Sequence, residues 1–83
     1  VAVKIHPHAR ARMAERGATE KEIVAAVEGG ESFAAKFGRT TFRRNFNVEG
    51  TWRGKSYRAK QLEVVAAPEG DDWLAVTVVV KYF

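Results

Sequence analysis

Eighty-three residues with 46% hydrophobic and 29% charged side chains form one small globular domain, residues 1–83, too short for a second core. No apolar run approaches the ~20 residues of a membrane span, and the N-terminal residues lack a basic segment followed by a long apolar stretch. The absence of Cys removes disulfides, thiolate zinc sites and Cys nucleophiles, in keeping with a reducing cytoplasm.

Val1 to Ile5 alternate enough for a short first strand, and His6-Pro7-His8 reads as a helix start with Pro7 in the first turn. That helix runs to about Arg16 and is stopped by Gly17. Thr19-Glu20-Lys21-Glu22 is a capping box opening a second helix, with Ile23, Val24 and Val27 on one face and Gly29-Gly30 at its end. From Gly30 onward the period changes to alternation. Strands are expected over 33–37 and 41–48 around a Gly38-Arg39 turn, with Phe42, Phe46 and Val48 on one face. Asn47-Val48-Glu49-Gly50 reads as a loop, and a long strand from Lys55 to Ala67 follows. After Pro68-Glu69-Gly70-Asp71-Asp72 comes a last strand, Trp73 to Phe83, whose Leu74, Val76, Val78, Val80 and Tyr82 are the expected core side. The order implies an α+β domain: a short N-terminal strand, two helices, then an antiparallel sheet of about four strands with both helices on one face.

The formal net charge of +4 is unevenly spread. Residues 1–30 carry five basic and four acidic side chains, 31–62 eight and two, and 63–83 one and four, for nets of +1, +6 and −3. The central surplus is Lys36, Arg39, Arg43, Arg44, Arg53, Lys55, Arg58 and Lys60, interleaved with Phe33, Phe37, Phe42, Phe46, Trp52 and Tyr57. That pattern suits a phosphate backbone; it equally suits the charged solvent side of a twisted sheet whose aromatics fill the core.

His8, Arg12 and Arg16, at i, i+4 and i+8, fall within about 80° around a helix. An imidazole beside two guanidiniums suits a phosphodiester, and the same residues also suit helix capping and surface ion pairs with Glu15, Glu20 or Glu22. His6 and His8 without a carboxylate or Cys cluster fall short of a metal ligand set, and the dispersed glycines form no nucleotide loop, so neither metal nor cofactor is expected. Lys60, Thr77 and Lys81 could line the open sheet face with Glu63, or be exposed strand positions only.

The segment His8-Ala9-Arg10-Ala11-Arg12-Met13-Ala14-Glu15-Arg16-Gly17 resembles the H-A-x-x-R-M-x-x-R-G opening of a family of small bacterial domains. That family is distantly similar to the RelE and ParE toxins of the barnase, EndoU, colicin and RelE nuclease-like group, and the same opening occurs in C-terminal modules of some polymorphic toxins. Further blocks resembling the family are Gly38 to Phe46, Trp52-Arg53-Gly54-Lys55 with Tyr57, Lys60-Gln61, and Trp73-Leu74 through Thr77 to Phe83. The resemblance implies two helices followed by an antiparallel sheet. It also implies metal-independent RNA cleavage by attack of the 2′-oxygen on the adjacent phosphate. Carried over, His8 is the acid/base, Arg12, Arg16 and Arg43 hold phosphate, Lys60 and Thr77 give support from the sheet, and Tyr82 is a second acid/base candidate. Arg39, Arg44, Arg58 and Lys81 complete the expected nucleic-acid-binding set. RNA or the ribosome, and a cognate antitoxin or immunity protein, are the implied partners. Many nuclease members place a His late in the sheet, whereas here His6 and His8 are the only histidines. A non-catalytic, ParE-like module binding a protein or nucleic acid through its basic sheet, and a domain that pairs through a strand edge, are the alternatives.

Overall fold

The computed structural model describes residues 2–83, without the side chains of Val48, Glu49 and Trp52; the expectations for Val48 and Trp52 lie outside the described residues. The elements are β1 (Val3–Ile5), α1 (Pro7–Arg16), α2 (Glu20–Gly29), β2 (Glu31–Ala34), a 3-10 turn (Lys36–Gly38), β3 (Thr40–Trp52), β4 (Lys55–Glu69) and β5 (Asp72–Tyr82). They form one five-stranded sheet in the order β1-β5-β4-β3-β2, with both helices on one face. The α+β architecture is as expected. The sheet is larger and mixed, because β1 pairs parallel to β5, Ile5 opposite Ala75. No helix among the described residues is long and apolar enough to cross a membrane.

Local chemistry accounts for the helix boundaries. The His6 Nδ1 accepts from the His8 N–H at 3.1 Å and Pro7 occupies the first helical position, where its missing N–H costs nothing. Gly17, left-handed at φ 76°, ends α1 with its N–H on the Met13 carbonyl. The Thr19–Glu22 capping box opens α2 as expected. Gly30 closes α2 where a Cβ would lie 2.6 Å from the Arg43 carbonyl oxygen, so only glycine lets the helix end approach β3 this closely. Met13 from α1 and Ile23, Ala26 and Val27 from α2 pack on Phe42, Leu62, Val64, Ala66, Ala75 and Val78, and Phe42 meets Trp73 edge-to-face at 4.9 Å.

The sheet departs from simple alternation in three places. Val65 pairs Thr77 while Ala66 pairs Ala75, so Val76 is an inserted residue. The core side of β5 is therefore Trp73 and Ala75 before the bulge and Val78, Val80 and Tyr82 after it; Leu74 and Val76, expected in the core, are not on it. Residues 47–50, expected as a loop, are an irregularity within a continuous β3. The N–H groups of Arg58 and Ala59 both reach the Phe83 carbonyl, at 2.9 and 3.0 Å, and this second bulge puts Tyr57 beside Tyr82, ring centroids 5.1 Å apart.

Both turns flanking β3 carry unusual residues. In Lys36-Phe37-Gly38-Arg39 and Trp52-Arg53-Gly54-Lys55 the two central residues have positive φ: 61° and 71°, then 52° and 81°. That is the type I′ pattern, whose first central position favours Asn, Asp or Gly. Phenylalanine in the left-handed region costs roughly 1–2 kcal/mol. The turn after β2 thus lies at Phe37-Gly38, one residue earlier than the expected Gly38-Arg39, and the Arg39 N–H closes it on the Lys36 carbonyl at 3.3 Å.

Lys60, expected on the open sheet face, is only 6% exposed beneath the helices, and its Nζ lies 2.7 Å from Glu22 Oε1. Removing one member of such a pair strands the other. Lys60→Met is expected to lower stability by about 3 kcal/mol in urea unfolding, and adding Glu22→Gln to restore at least half of that loss.

Candidate functional site

The C-terminal end of α1 is held by the sheet. Its last carbonyls lack intrahelical partners, and each of three receives a donor from a different place. Arg53 Nη2, from the β3–β4 turn, donates to the Glu15 carbonyl at 3.2 Å; the Tyr82 hydroxyl donates to the Arg16 carbonyl at 2.6 Å; Lys60 Nζ donates to the Gly17 carbonyl. Two of these donors are cations, which the negative end of the helix dipole favours. The Arg16 Nη1 in turn donates to the Val78 carbonyl, across to β5. Glu15, Arg16, Arg53, Val80 and Tyr82 line a cavity of about 310 Å³ at this end. Burial foremost, then the Glu22 carboxylate, raises the Tyr82 hydroxyl above the usual phenolic range, while Arg53 opposes the shift. Arg16 and Tyr82, assigned to catalysis by resemblance, together with Lys60, are thus committed to fixing α1 on the sheet.

The other end of α1 is arranged differently. His6 extends the β1 edge, its N–H on the Ala75 carbonyl at 2.9 Å, and His8 follows in the first helical turn. Both imidazoles line a cavity of about 410 Å³ with Arg39, Val76 and Thr77. Consecutive strand residues normally face opposite sides of a sheet; the bulge at Val76 lets it and Thr77 border the same cavity. Arg39 enters from the β2–β3 connection. The His8 imidazole is exposed and accepts or donates no hydrogen bond among the described residues. The His6 ring uses Nδ1 as the helix cap, so in its neutral form the proton sits on Nε2.

The predicted catalytic set therefore divides. His8 and Arg16 are eight residues apart on one helix, about 12 Å of rise. Arg12 between them pairs with Glu15 at 2.8 Å. Of the predicted nucleic-acid-binding residues, Arg39 and Thr77 join His8 at the cavity. Arg43 lies on the open face over the Phe33 ring at 4.6 Å and 3.7 Å from Glu31, and Lys81 lies there 3.6 Å from Glu63. Arg44, on the helix face, donates to the Ala25 carbonyl at 3.0 Å and lies over Phe46. Arg58 is exposed. Sequence reasoning missed His6 as a cavity residue because a His before Pro at a helix start reads as a cap, which it also is.

Fold and site together define a small α+β domain with a histidine- and arginine-lined cavity at a helix start. The chain belongs to the family described as Domain of unknown function (DUF4258), which it matches over residues 5–81. No curated protein and no solved structure matches it.

The Tyr82 shift sets a pH test. A phenol whose pKa is raised on folding stabilises the fold fully below its unfolded value of about 10, and that contribution is lost as pH rises through the folded value. Stability should therefore fall above pH ~10 more steeply in wild type than in Tyr82→Phe, with the variant about 1 kcal/mol less stable at neutral pH, by thermal unfolding across the range.

Proposed function

We propose that the chain is a RelE-like endoribonuclease domain that cleaves RNA without a metal, at the cavity of His6, His8, Arg39 and Thr77. The observation that carries this reading is the meeting of the only two histidines in the sequence with a guanidinium and a hydroxyl around one cavity, with the His8 ring in no hydrogen bond or ion pair among the described residues.

The chemistry needs a base, a cationic cradle and an acid. His8 takes the proton from a ribose 2′-hydroxyl as its oxygen attacks the adjacent phosphorus. Arg39 neutralises the charge gathering on the phosphorane oxygens, with the Thr77 hydroxyl as a further donor. The Nε2–H of His6 hydrogen-bonds to the departing 5′-oxygen, which takes its proton from water, and the imidazolium formed at His8 returns its proton to solvent, leaving a 2′,3′-cyclic phosphate and a free 5′-hydroxyl. A domain with this activity requires restraint inside a cell, and an antitoxin or immunity protein presenting carboxylates to the basic face would supply it. The second reading is a ParE-like module that binds without turnover. It is favoured by the ties of Arg16, a phosphate ligand by resemblance, and Tyr82, an acid/base candidate by resemblance, to backbone carbonyls.

Purified wild type is expected to generate RNA fragments ending in cyclic phosphate, alone or with translating ribosomes. His8→Gln and Arg39→Ala, both exposed and outside the core, are expected to fold and to cleave about 10²- to 10⁴-fold more slowly. Intact RNA with folded wild type under every condition ends the catalytic reading in favour of binding alone.

A further inference from the structure

We infer that the turn between β2 and β3 is a stacking platform for the bases of single-stranded RNA, with Phe37 as the ring and Arg39 and Arg43 as its phosphate contacts. This deepens the reading above, and rests on it only through Arg39, which the cavity and the platform share.

Phe37 is 88% exposed, against 41% for Phe33 on the neighbouring strand. It also occupies a backbone conformation that a bulky residue adopts only under strain, at φ 61° and ψ 34°. Exposure forgoes the burial that makes Phe useful to a fold, and the left-handed backbone adds a second cost; asparagine would serve the turn better on both counts. At that exposure little packing compensates, and the ring is displayed outward. Arg39 places its guanidinium 6.0 Å from the Phe37 centroid, and Arg43 sits 4.6 Å from that of Phe33. Lys36 is exposed beside Arg39, Arg43 is half-buried, and Glu31, the one carboxylate on β2, lies 3.7 Å from Arg43.

Alternating rings and guanidiniums along a strand edge match the chemistry of an unpaired strand, whose bases stack on rings and whose phosphates take Arg. A duplex keeps its base faces inside and offers this turn only phosphates. Arg39 extends from the platform to the histidine cavity, so a base on Phe37 would hold the strand next to the cavity that contains His6 and His8.

The test measures binding without cleavage. The probe is a labelled dodecamer of 2′-O-methyl adenylate, which lacks the attacking hydroxyl, read by fluorescence anisotropy beside the same strand in a duplex. Wild type should prefer the single strand. Phe37→Asn should weaken single-strand binding about 5- to 150-fold while raising Tm by about 4–8 °C, since it suits the turn. Phe37→Tyr should retain binding, and Arg43→Gln should lower the slope of log affinity against log salt by about one. Equal affinity for single strand and duplex, or full binding by Phe37→Asn, overturns the platform; loss of self-association rather than oligonucleotide binding in that variant also overturns it, by marking a protein contact. The cleavage reading fails separately, when RNA stays intact while this probe still binds.

Discussion

The ion pair between Lys60 and Glu22 is the constraint around which the helical layer is organised. One oxygen, Glu22 Oε1, accepts from the Thr19 N–H at 2.9 Å, the Thr19 hydroxyl at 3.2 Å and the Lys60 ammonium at 2.7 Å. The same ammonium donates to the Gly17 carbonyl. A single charge pair therefore caps the start of α2, satisfies the end of α1 and ties the corner between them to the middle strand of the sheet. Such a pair is weak evidence of net stability, since desolvation offsets much of its Coulomb attraction. Its value here is geometric: the ammonium joins the Gly17 carbonyl to the Glu22 carboxylate, and the same carboxylate oxygen holds the Thr19 cap.

From that corner the two ends of α1 acquire different characters. At the C-terminal end, Lys60, Tyr82 and Arg53 occupy the orphan carbonyls, and the polar groups have little freedom to meet a ligand. At the N-terminal end the His6 ring caps the helix, and His8, Arg39 and Thr77 line the cavity with it. A helix spans these ends as a rod, so fixing one end positions the other. The opening segment divides accordingly: Arg16 is tied to the Val78 carbonyl, and His8 borders the cavity.

Much of the fold was legible because its signals are local. Gly17, the Thr19–Glu22 box and the change of period after Gly30 each act within a few residues, and each marks an element boundary. The parallel pairing of β1 with β5 has no such signal, because it joins residues some seventy positions apart. The bulge at Val76 was hidden for a different reason. The run Val76-Thr77-Val78-Val79-Val80 is apolar or β-branched at every position, so either phase of alternation fits it, and only the pairing with β4 chooses. Lys60 misleads because a lysine in an alternating strand reads as solvent-facing; its burial depends on a carboxylate from α2 that the strand pattern does not contain. The candidate site was legible only in its helical spacing, for the same reason: that spacing puts His8, Arg12 and Arg16 on one stripe, but what each side chain meets is decided by the sheet.

The departures from regular sheet geometry bear on both ends of α1. The irregularity at residues 47–50 and the facing bulge at Arg58 and Ala59 let the long β3–β4 hairpin leave the regular pairing before its tip, and Arg53 at that tip reaches back to the Glu15 carbonyl. A regular twisted ribbon of this length would run on past the helix. The bulge at Val76 works at the opposite end, bringing two successive residues of β5 to one cavity. One distortion closes the end of the helix that the fold needs fixed, and the other shapes the cavity beside the end where the imidazoles gather. Restoring strict alternation at Val76 would improve the ladder and turn Thr77 and its cavity neighbours out of register with His6 and His8. The irregularity is therefore what gives the cavity its β5 wall, since a regular strand would present only one of Val76 and Thr77 to it.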